Sequence, residues 1–581
     1  MAEKMWVLKS QGDPEESQSL SKELKLPPVI ASLLVQRGVN TPEKVNEFFN
    51  PSLKSLHDPF LMKDMDKAVS RLERALRDKE AIMIYGDYDV DGITAVALMY
   101  RFISRLSGGN KIYFYIPDRY NDGYGISTKS IDYAQEKGVK LIIALDCGIK
   151  AVSQVDYAQE RGIDYIICDH HRPDDTLPCA AAILNPKRED CNYPFKHLSG
   201  CGVGFKFACA YNQKNNIDFQ DIADLLDLLV VSIASDIVPI IGENRILAYY
   251  GLKQLNENPC KGLGAIIKIC HLEDITITID DIVFKIGPRI NAAGRMENDP
   301  LGDSSSGGNN AVKLLKSNSV QEATEYGKII DSCNTDRKEV DREITKEANK
   351  IVDGTIDVAD KKCTVIYNPN WMKGVVGIVA SRLIERYYRP TVVLTKSKEF
   401  ITGSARSIKG FDLYQAIESC SKHLENFGGH TYAAGLTLRE ENLEAFIKDF
   451  EAYVDANIDT KTLIPQVDVD MEIDFSTITD EMIYHLKKFH PFGPGNSNPI
   501  FMTRRVMGDG DIVGKRYEHL KLDLCSNRHS KMISAIAFGQ SKAIGIIKSV
   551  TTFDICYNIT ENVYRNKPKL QLRIKDIRKT L

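Results

Sequence analysis

The chain predicts an α/β fold: a parallel-sheet domain joined by one long helix to a second α/β domain, with a β-rich barrel at the end. Three observations carry this. Short apolar runs, Ala81 to Tyr85, Leu141 to Leu145 and Tyr165 to Cys168, alternate with helical stretches, which is the pattern of buried parallel strands. Between Val320 and Val352, apolar or small residues recur at Tyr326, Ile330, Cys333, Val340, Ile344, Ala348 and Ile351 with charges between them, the signature of one long helix, and Gly354 stops it. The last third of the chain contains strand-like segments, Ile512-Val513, Leu520 to Leu524, Met532 to Phe538 and Lys569 to Ile574, separated by Gly- and Asn-rich turns.

Taken in order, residues 1–75 read as a polar helical segment, in which Asn40-Thr41-Pro42-Glu43 marks a capped helix start with Pro in its first turn. Residues 76–300 form the parallel-sheet domain, and 301–355 an insertion followed by the connecting helix. Asp303 to Asn310, rich in Ser, Gly and Asn, has the composition of a surface loop. Residues 356–460 form the second α/β domain, with strands at Cys363 to Tyr367 and Thr391 to Leu394 and a helix from Val375 whose otherwise apolar face carries Arg382 and Arg386. Residues 461–581 hold the barrel.

At 581 residues the chain has room for about three or four domains. No apolar run approaches the ~18 residues of a membrane span, and Met1-Ala2-Glu3-Lys4 lacks a secretory pattern, so a cytoplasmic protein is expected. The thirteen cysteines are scattered and odd in number, which suits reduced, mostly buried thiols. The net charge of −4 conceals an asymmetry: residues 501–581 hold sixteen Lys/Arg against seven Asp/Glu, an excess of +9, leaving −13 for the remainder. An acidic body suits metal ions, and a basic barrel suits a polyanion. Arg and Lys interleaved with Tyr517, Tyr557 and Tyr564 fit an OB-type barrel that stacks the bases of a single strand on aromatic rings.

Each of the three apolar runs stops at a carboxylate: Gly86-Asp87-Tyr88-Asp89-Val90-Asp91-Gly92, Asp146-Cys147-Gly148 and Asp169-His170-His171. Ligands of parallel sheets sit beyond the carboxyl ends of the strands, so these clusters should meet on one rim. A fourth carboxylate, Asp236, ends the apolar stretch from Leu228, which is either a strand or a buried helix. One Asp at a strand end is ordinarily a turn or cap residue, but adjacent imidazoles after an Asp serve no packing purpose. Carboxylates with imidazole, and no paired-cysteine motif, suit Mn2+ or Mg2+ better than structural zinc. Several carboxylates call for two ions, about 3.5–4 Å apart, the arrangement that stabilises attacking and leaving oxygens at phosphorus. Phosphoester hydrolysis is therefore the expected reaction class.

The Gly86 to Gly92 segment, Asp146, Asp169-His170-His171 and Asp236 resemble motifs one to four of the DHH phosphoesterase superfamily. Pro288 to Arg295, Gly374 to Leu383, Gly403-Ser404-Ala405-Arg406-Ser407, Phe427-Gly428-Gly429-His430 and Pro491 to Asn496 extend the resemblance to its branch of single-stranded-DNA exonucleases, over roughly residues 28 to 581. The resemblance implies a DHH domain, a DHH-associated domain and an OB domain. It implies 5′ to 3′ hydrolysis to 5′-mononucleotides in DNA repair and recombination, by a monomer working with a single-stranded-DNA-binding protein and a helicase. It also implies that Asp89, Asp91, Asp146, His170 and Asp236 ligate two divalent cations that activate a water. Asp87 and Asp169 then orient ligands, and His171 contacts a phosphate oxygen or assists the leaving group. Ser404, Arg406 and Arg295 are implied at the 5′-terminal phosphate, with Arg289 a further candidate and Asn291 and His430 as DNA contacts.

Two departures stand out. Relatives carry Trp-His where this chain has Trp371-Met372, and a thioether cannot donate a hydrogen bond, so a lower rate or altered DNA affinity is expected. The Glu297 to Asn310 segment follows Arg295 directly and is expected to be a surface loop. A small-substrate enzyme of the same superfamily would share the four motifs without needing the basic 501–581 region, and a scaffold lacking activity would have lost ligands that are all present here.

Overall fold

The computed structural model describes residues 4–119, 122–123, 125–296, 307–354, 361–526, 532–564 and 567–580, without the side chains of 563, 564, 567 and 568. The chain forms two compact units. One comprises residues 51–457 with 493–495, and the other residues 1–50, 458–492 and 496–581.

The larger unit begins with a five-stranded, all-parallel sheet of β1 (Ala81–Gly86), β2 (Ile112–Tyr115), β3 (Val139–Leu145), β4 (Asp164–Cys168) and β5 (Ala182–Leu184), in the order β2-β1-β3-β4-β5. The expected strands are all present and adjacent. Their apolar runs are unbroken because both faces are buried: Ile82, Ile84, Leu141, Ile143 and Ile166 join one core cluster, while Met83, Tyr85, Ile142, Ala144, Tyr165 and Ile167 join another. Helices α1 (Val90–Leu106), α2 (Gly200–Lys214) and α3 (Leu226–Ser235) contribute Ile93, Val96, Val203, Phe205, Leu229 and Val230 to the first cluster. Each such side chain removed from water contributes about 1.5–3 kcal/mol. The stretch before Asp236 is thus a buried helix, not a strand.

A short helix α4 (Gly287–Ala293) follows, and then α5 (Val320–Asp353), the expected connecting helix, capped by Ser319 at its start and closed at Gly354. Its buried side is apolar at both ends and polar in the middle, where Asn334, Arg337 and Asp341 are buried, while Ile351 is exposed. Of the expected insertion, residues 297–306 lie outside the described residues, and 307–310 open the helix Gly307–Lys316. The second sheet contains β6 (Thr364–Tyr367), β7 (Thr391–Ser397), β8 (Phe400–Arg406), β9 (Leu424–His430) and β10 (Ala433–Leu438), in the order β9-β10-β8-β7-β6, with only β6 and β7 parallel. Helix α6 (Val376–Tyr387) packs on it. Its two arginines are ion-paired to α5: Arg382 with buried Asp341 at 2.7 Å, and Arg386 with Asp353 at 2.9 Å.

The smaller unit is a closed barrel. Strands Phe501–Val513, His519–Cys525, Ile533–Ala537, Lys567–Lys579 and Phe553–Tyr564 follow one another, and the last pairs back to the first, Tyr557 opposite Phe501. Strand Phe553–Tyr564 has no strand signal of its own in the sequence, where only Tyr557 and Tyr564 stand out as aromatic rings. Three Pro-initiated helices, Pro14–Leu24, Pro28–Gln36 and Pro42–Phe49, the last capped by Thr41 as expected, share the barrel's core. The N-terminal segment also holds a strand, Met5–Leu8, paired parallel with Gln466–Val469. No disulfide joins any of the thirteen cysteines, and no helix among the described residues is long and apolar enough to cross a membrane.

Tyr557 corrects the sequence reading: it is fully buried, its hydroxyl 2.8 Å from Thr503 Oγ1, and cannot stack on a base. Tyr517 is 73% exposed, and the Tyr564 side chain lies outside the described residues. Tyr557→Phe removes one buried hydrogen bond and is expected to lower unfolding free energy by about 0.5–1.5 kcal/mol, read from chemical denaturation.

Candidate metal centre

The rim is set by strand register. Gly86 lies opposite Leu145 and Leu145 opposite Cys168, so the first residues past β3 and β4, Asp146 and Asp169, share one edge with Asp87 past β1. Asp87, Asp146 and Asp169 are all buried. Asp89 caps α1 by accepting the Gly92 N–H at 3.1 Å, which puts Asp91 in the first helical turn. Two close approaches make this packing possible. A Cβ on Gly92 would lie 2.4 Å from the Asp87 carbonyl oxygen, and one on Gly200 would lie 2.5 Å from Asp146 Cβ. Asp146 itself is held in the left-handed region at φ +60°.

His170 is the hub. Its Nδ1–H donates to the Leu198 carbonyl at 3.0 Å, which leaves the Nε2 lone pair facing the carboxylates. Nε2 lies 3.2 Å from Asp146 Oδ1, 3.7 Å from Asp236 Oδ2 and 3.9 Å from Asp91 Oδ2. Asp236 reaches this point from the C-terminal end of α3. Asp91 is steadied by the N-terminus of α2, whose Gly200 and Cys201 N–H groups donate at 2.7 and 2.8 Å, and by Ser232 Oγ at 2.7 Å. Two ligand groups emerge, Asp91 with His170 and Asp236, and Asp146 with His170 and His171.

Asp169 plays a different part. Its oxygens accept from the His170, His171 and Ile149 N–H groups and from His171 Nδ1 at 2.7 Å, so it pins the imidazole and has little capacity left for an ion. Burial alone would raise its pKa, but these donors hold it far below the usual carboxylate range. Burial pushes His171 down, and Asp169 with nearby Asp236 and Asp89 outweighs this, raising it to about 9. His170 falls to about 3, first through burial and then through His171. Four other carboxylates move the other way. Burial and then neighbouring carboxylates push Asp87 up to about 8 and Asp91 to about 6, and Asp146 and Asp236 are raised well above their ordinary value. Asp87 Oδ1 and Asp146 Oδ1 are buried without a hydrogen-bond partner among the described residues. Orphaned acceptors among mutually repelling carboxylates, beside a neutral imidazole, are a donor set that fits hard divalent cations.

Facing the rim is a cationic pocket. Ser404 and Arg406 sit on β8, with Arg406 Nη1 donating to Ser404 Oγ at 2.8 Å, and Gly377 of α6 leaves room for both. Arg295 donates to the Gly374 carbonyl at 3.1 Å. Burial, followed by Arg119, Arg406 and Arg337, lowers its pKa to about 9. Asn291 Oδ1 is buried without a partner among the described residues, and Asn291 lines the same cavity as Arg295. Arg289 does not join them: it pairs with Asp331 at 2.9 Å and donates to the Lys285 carbonyl. His430 ends β9, exposed, its pKa lowered by burial and then by His171 and Lys187. The Gly-Gly-His segment is therefore an edge strand, with Gly429 pressed against Ala433 and Ala434. Met372 packs on the apolar cluster of Ile344, Trp371 and Val376.

Sequence reasoning passed over several groups. Arg119 stacks 4.2 Å from the Tyr88 ring and faces Asp87 and Arg295, and Lys187 faces Asp236 and Asp169. Both come from loops with no motif of their own. On the barrel, exposed Phe538 lies against His519 at 5.1 Å and Arg573 at 5.5 Å. An isolated Phe ending an apolar run gave no signal.

Fold and rim together define a phosphoesterase of the DHH class. The chain matches the family model described as DHH family, N-terminal domain, over residues 81–233, that of the DHHA1 domain over 360–456, and that of the RecJ OB domain over 469–576. It is 36% identical over 569 residues to the single-stranded-DNA-specific exonuclease RecJ of Bacillus subtilis (97% of this chain, 70% of the relative). It is 31% identical over 570 residues to that of Escherichia coli (95% and 96%). Its fold matches the crystal structure of RecJ in complex with Mn2+ from Thermus thermophilus with a TM-score of 0.83, at 24% identity, covering 99% of this chain and 80% of that one. A crystal structure of exonuclease RecJ bound to manganese matches with a TM-score of 0.58 at 28% identity, covering 70% and 97%. The chain belongs to the RecJ family.

The raised carboxylates carry a prediction. A carboxyl whose folded pKa lies above its unfolded value contributes stability at low pH that is lost as pH rises through the folded pKa. Chelated protein is therefore expected to melt at progressively lower temperature as pH rises through about 6 and about 8, the positions of Asp91 and Asp87. Added Mn2+ should restore the loss, as read by differential scanning calorimetry.

Proposed function

We propose that this chain is a 5′ to 3′ single-stranded-DNA exonuclease that uses two divalent cations, Mn2+ or Mg2+, and releases 5′-mononucleotides. The observation that carries the reading is the convergence of Asp91, Asp146 and Asp236 on His170 Nε2, opposite the pocket of Arg295, Ser404 and Arg406. The curated relatives are named as single-stranded-DNA-specific exonucleases, and a related structure holds manganese.

Asp89, Asp91, Asp146, His170 and Asp236 are the residues assigned to hold the ions, with Asp87 closing the rim behind them. When bound, the cations supply a coordinated water of lowered pKa and neutralise charge on the scissile phosphate. The chain's own groups do the rest. Asp169 fixes the His171 ring so that it meets the same space as Asp146 and His170, where it can donate to a phosphate oxygen or the leaving group. Leu198 fixes the tautomer of His170. Arg295, Arg406 and Ser404 bind the terminal phosphate, which sets how many nucleotides separate the 5′ end from the rim and so gives exonuclease mode and polarity. His430 contacts the strand from the edge of the second sheet. On the barrel, Tyr517 and Phe538 offer ring faces to bases, and the basic surface tracks phosphates. The setting is cytoplasmic DNA repair and recombination, as a monomer alongside a single-stranded-DNA-binding protein and a helicase.

In Mn2+, digestion of a 3′-labelled single strand is expected to start only at a free 5′ end, and Asp146→Ala should abolish it. Equal degradation of a 5′-blocked strand would sink the polarity. Arg406→Ala removes a charged hydrogen-bond donor worth about 1.5–3 kcal/mol, so the preference for a 5′-phosphate over a 5′-hydroxyl end should fall about tenfold or more in competition binding. Across salt titrations, log affinity should fall by about 0.7 per neutralised phosphate for each unit of log salt.

A further inference from the structure

A cavity of about 480 Å³ opens between α4, α5 and α6, with Phe284, Arg289, Asn334, Lys338, Arg342 and Arg382 in its wall. A second, of about 240 Å³, is lined by Val90, Ser235, Asn291 and Arg295. The two adjoin, because both are lined by Pro288 and Arg337. Val90 lies between Asp89 and Asp91, and Ser235 precedes Asp236, so the smaller cavity starts at the metal rim. The two cavities thus follow one another from beside the rim and Arg295 to the space between α4, α5 and α6.

The larger cavity is built for a small anion with an aromatic part. Arg289, Arg337, Lys338, Arg342 and Arg382 line it against the single carboxylate of Asp341. Arg289 and Arg382 are ion-paired, which leaves the guanidinium of Arg342 and the ammonium of Lys338, on the exposed side of α5, without an ion pair among the described residues. Asn334 is 1% exposed, its Oδ1 accepts from Arg337 Nη2 at 2.7 Å, and its Nδ2 is buried without a hydrogen-bond partner among the described residues. A buried amide donor left unmatched beside cations calls for an acceptor from outside. At the mouth, Phe284 on the turn Ile282–Ile286 is 73% exposed, a ring face of the kind on which a base stacks. The volume lies in the range of small-ligand sites, about 300–1,000 Å³.

We propose that this cavity receives the nucleoside 5′-monophosphate product, phosphate toward Asn334, Arg337, Lys338 and Arg342 and base on Phe284, so that product leaves at the side away from the incoming strand. The proposal rests on the exonuclease reading: a strand whose 5′ end stops at Arg295, Ser404 and Arg406 does not extend past them, and only a released nucleotide passes further. Exit through the rear also spares the dianionic product a path alongside the polyanionic substrate.

The test uses the full chain with Arg406→Ala, which removes the pocket assigned to the terminal phosphate, and measures binding of thymidine 5′-monophosphate by calorimetry. Adding Lys338→Glu and Arg342→Glu, both on the exposed side of a long helix, should weaken binding about tenfold or more, the scale of lost charged hydrogen bonds. Phe284→Ala should weaken thymidine 5′-monophosphate while leaving inorganic phosphate unchanged. In the otherwise wild-type chain, Lys338→Glu with Arg342→Glu should leave the initial rate on a long single strand unchanged and relieve inhibition by added thymidine 5′-monophosphate. Unchanged nucleotide affinity overturns the proposal. So does a raised KM for the long strand at unchanged nucleotide affinity, which would make the cavity a strand path. Product size is read in the same digests: oligonucleotides would overturn the exonuclease reading itself, whereas mononucleotides with unchanged nucleotide affinity overturn only the cavity assignment.

Discussion

Repulsion among buried and half-buried carboxylates governs this molecule. Asp87, Asp91, Asp146 and Asp236 are brought together in a low-dielectric rim with one neutral imidazole between them, and burial and mutual charge raise all four above their ordinary pKa. No lysine or arginine pairs directly with any of them among the described residues. The fold sustains the arrangement by fixing each group from behind. The N-terminus of α2 and Ser232 hold Asp91, the Leu198 carbonyl holds His170, and glycines at 92 and 200 let the backbone close around Asp87 and Asp146. The cationic second lobe faces this acidity, and the two signs together define a place for a phosphodiester beside metal ions.

What could be read from the sequence divides along a physical line. The three parallel strands were legible because both faces are buried and so every residue in the run is apolar. The carboxylates were legible because a charge ending such a run has few structural reasons to be there. The connecting helix was legible from its period, but its pattern misled in the middle: Asn334, Arg337 and Asp341 are buried where an apolar stripe is expected, because there the helix faces a cavity and the ion pair with Arg382 instead of a core. Phe427 to His430, whose two adjacent glycines suit a turn as well as a strand, is an edge strand, where a missing side chain lets the next strand approach.

Arg289 and Tyr557 show the limit of residue type as evidence. Both are residues of the right kind in the right segment, but Arg289 is engaged by Asp331 and Tyr557 is sealed inside the barrel. Arg119, Lys187 and Phe538 show the converse. They reach their positions through loops and a strand end whose geometry only the assembled fold determines, so no local pattern marks them.

The alignment of Gly86, Leu145 and Cys168 across the sheet has a consequence for how the chain reaches its native state. Sliding any one of these strands by a single residue would turn its terminal acid to the other side of the pleat and scatter the donor set. An ion that binds only the assembled rim stabilises that pairing alone, by an amount that grows with the logarithm of its free concentration. Divalent cations would thus act during folding as proofreaders of strand alignment, and chelation would tolerate misaligned sheets that the loaded protein rejects.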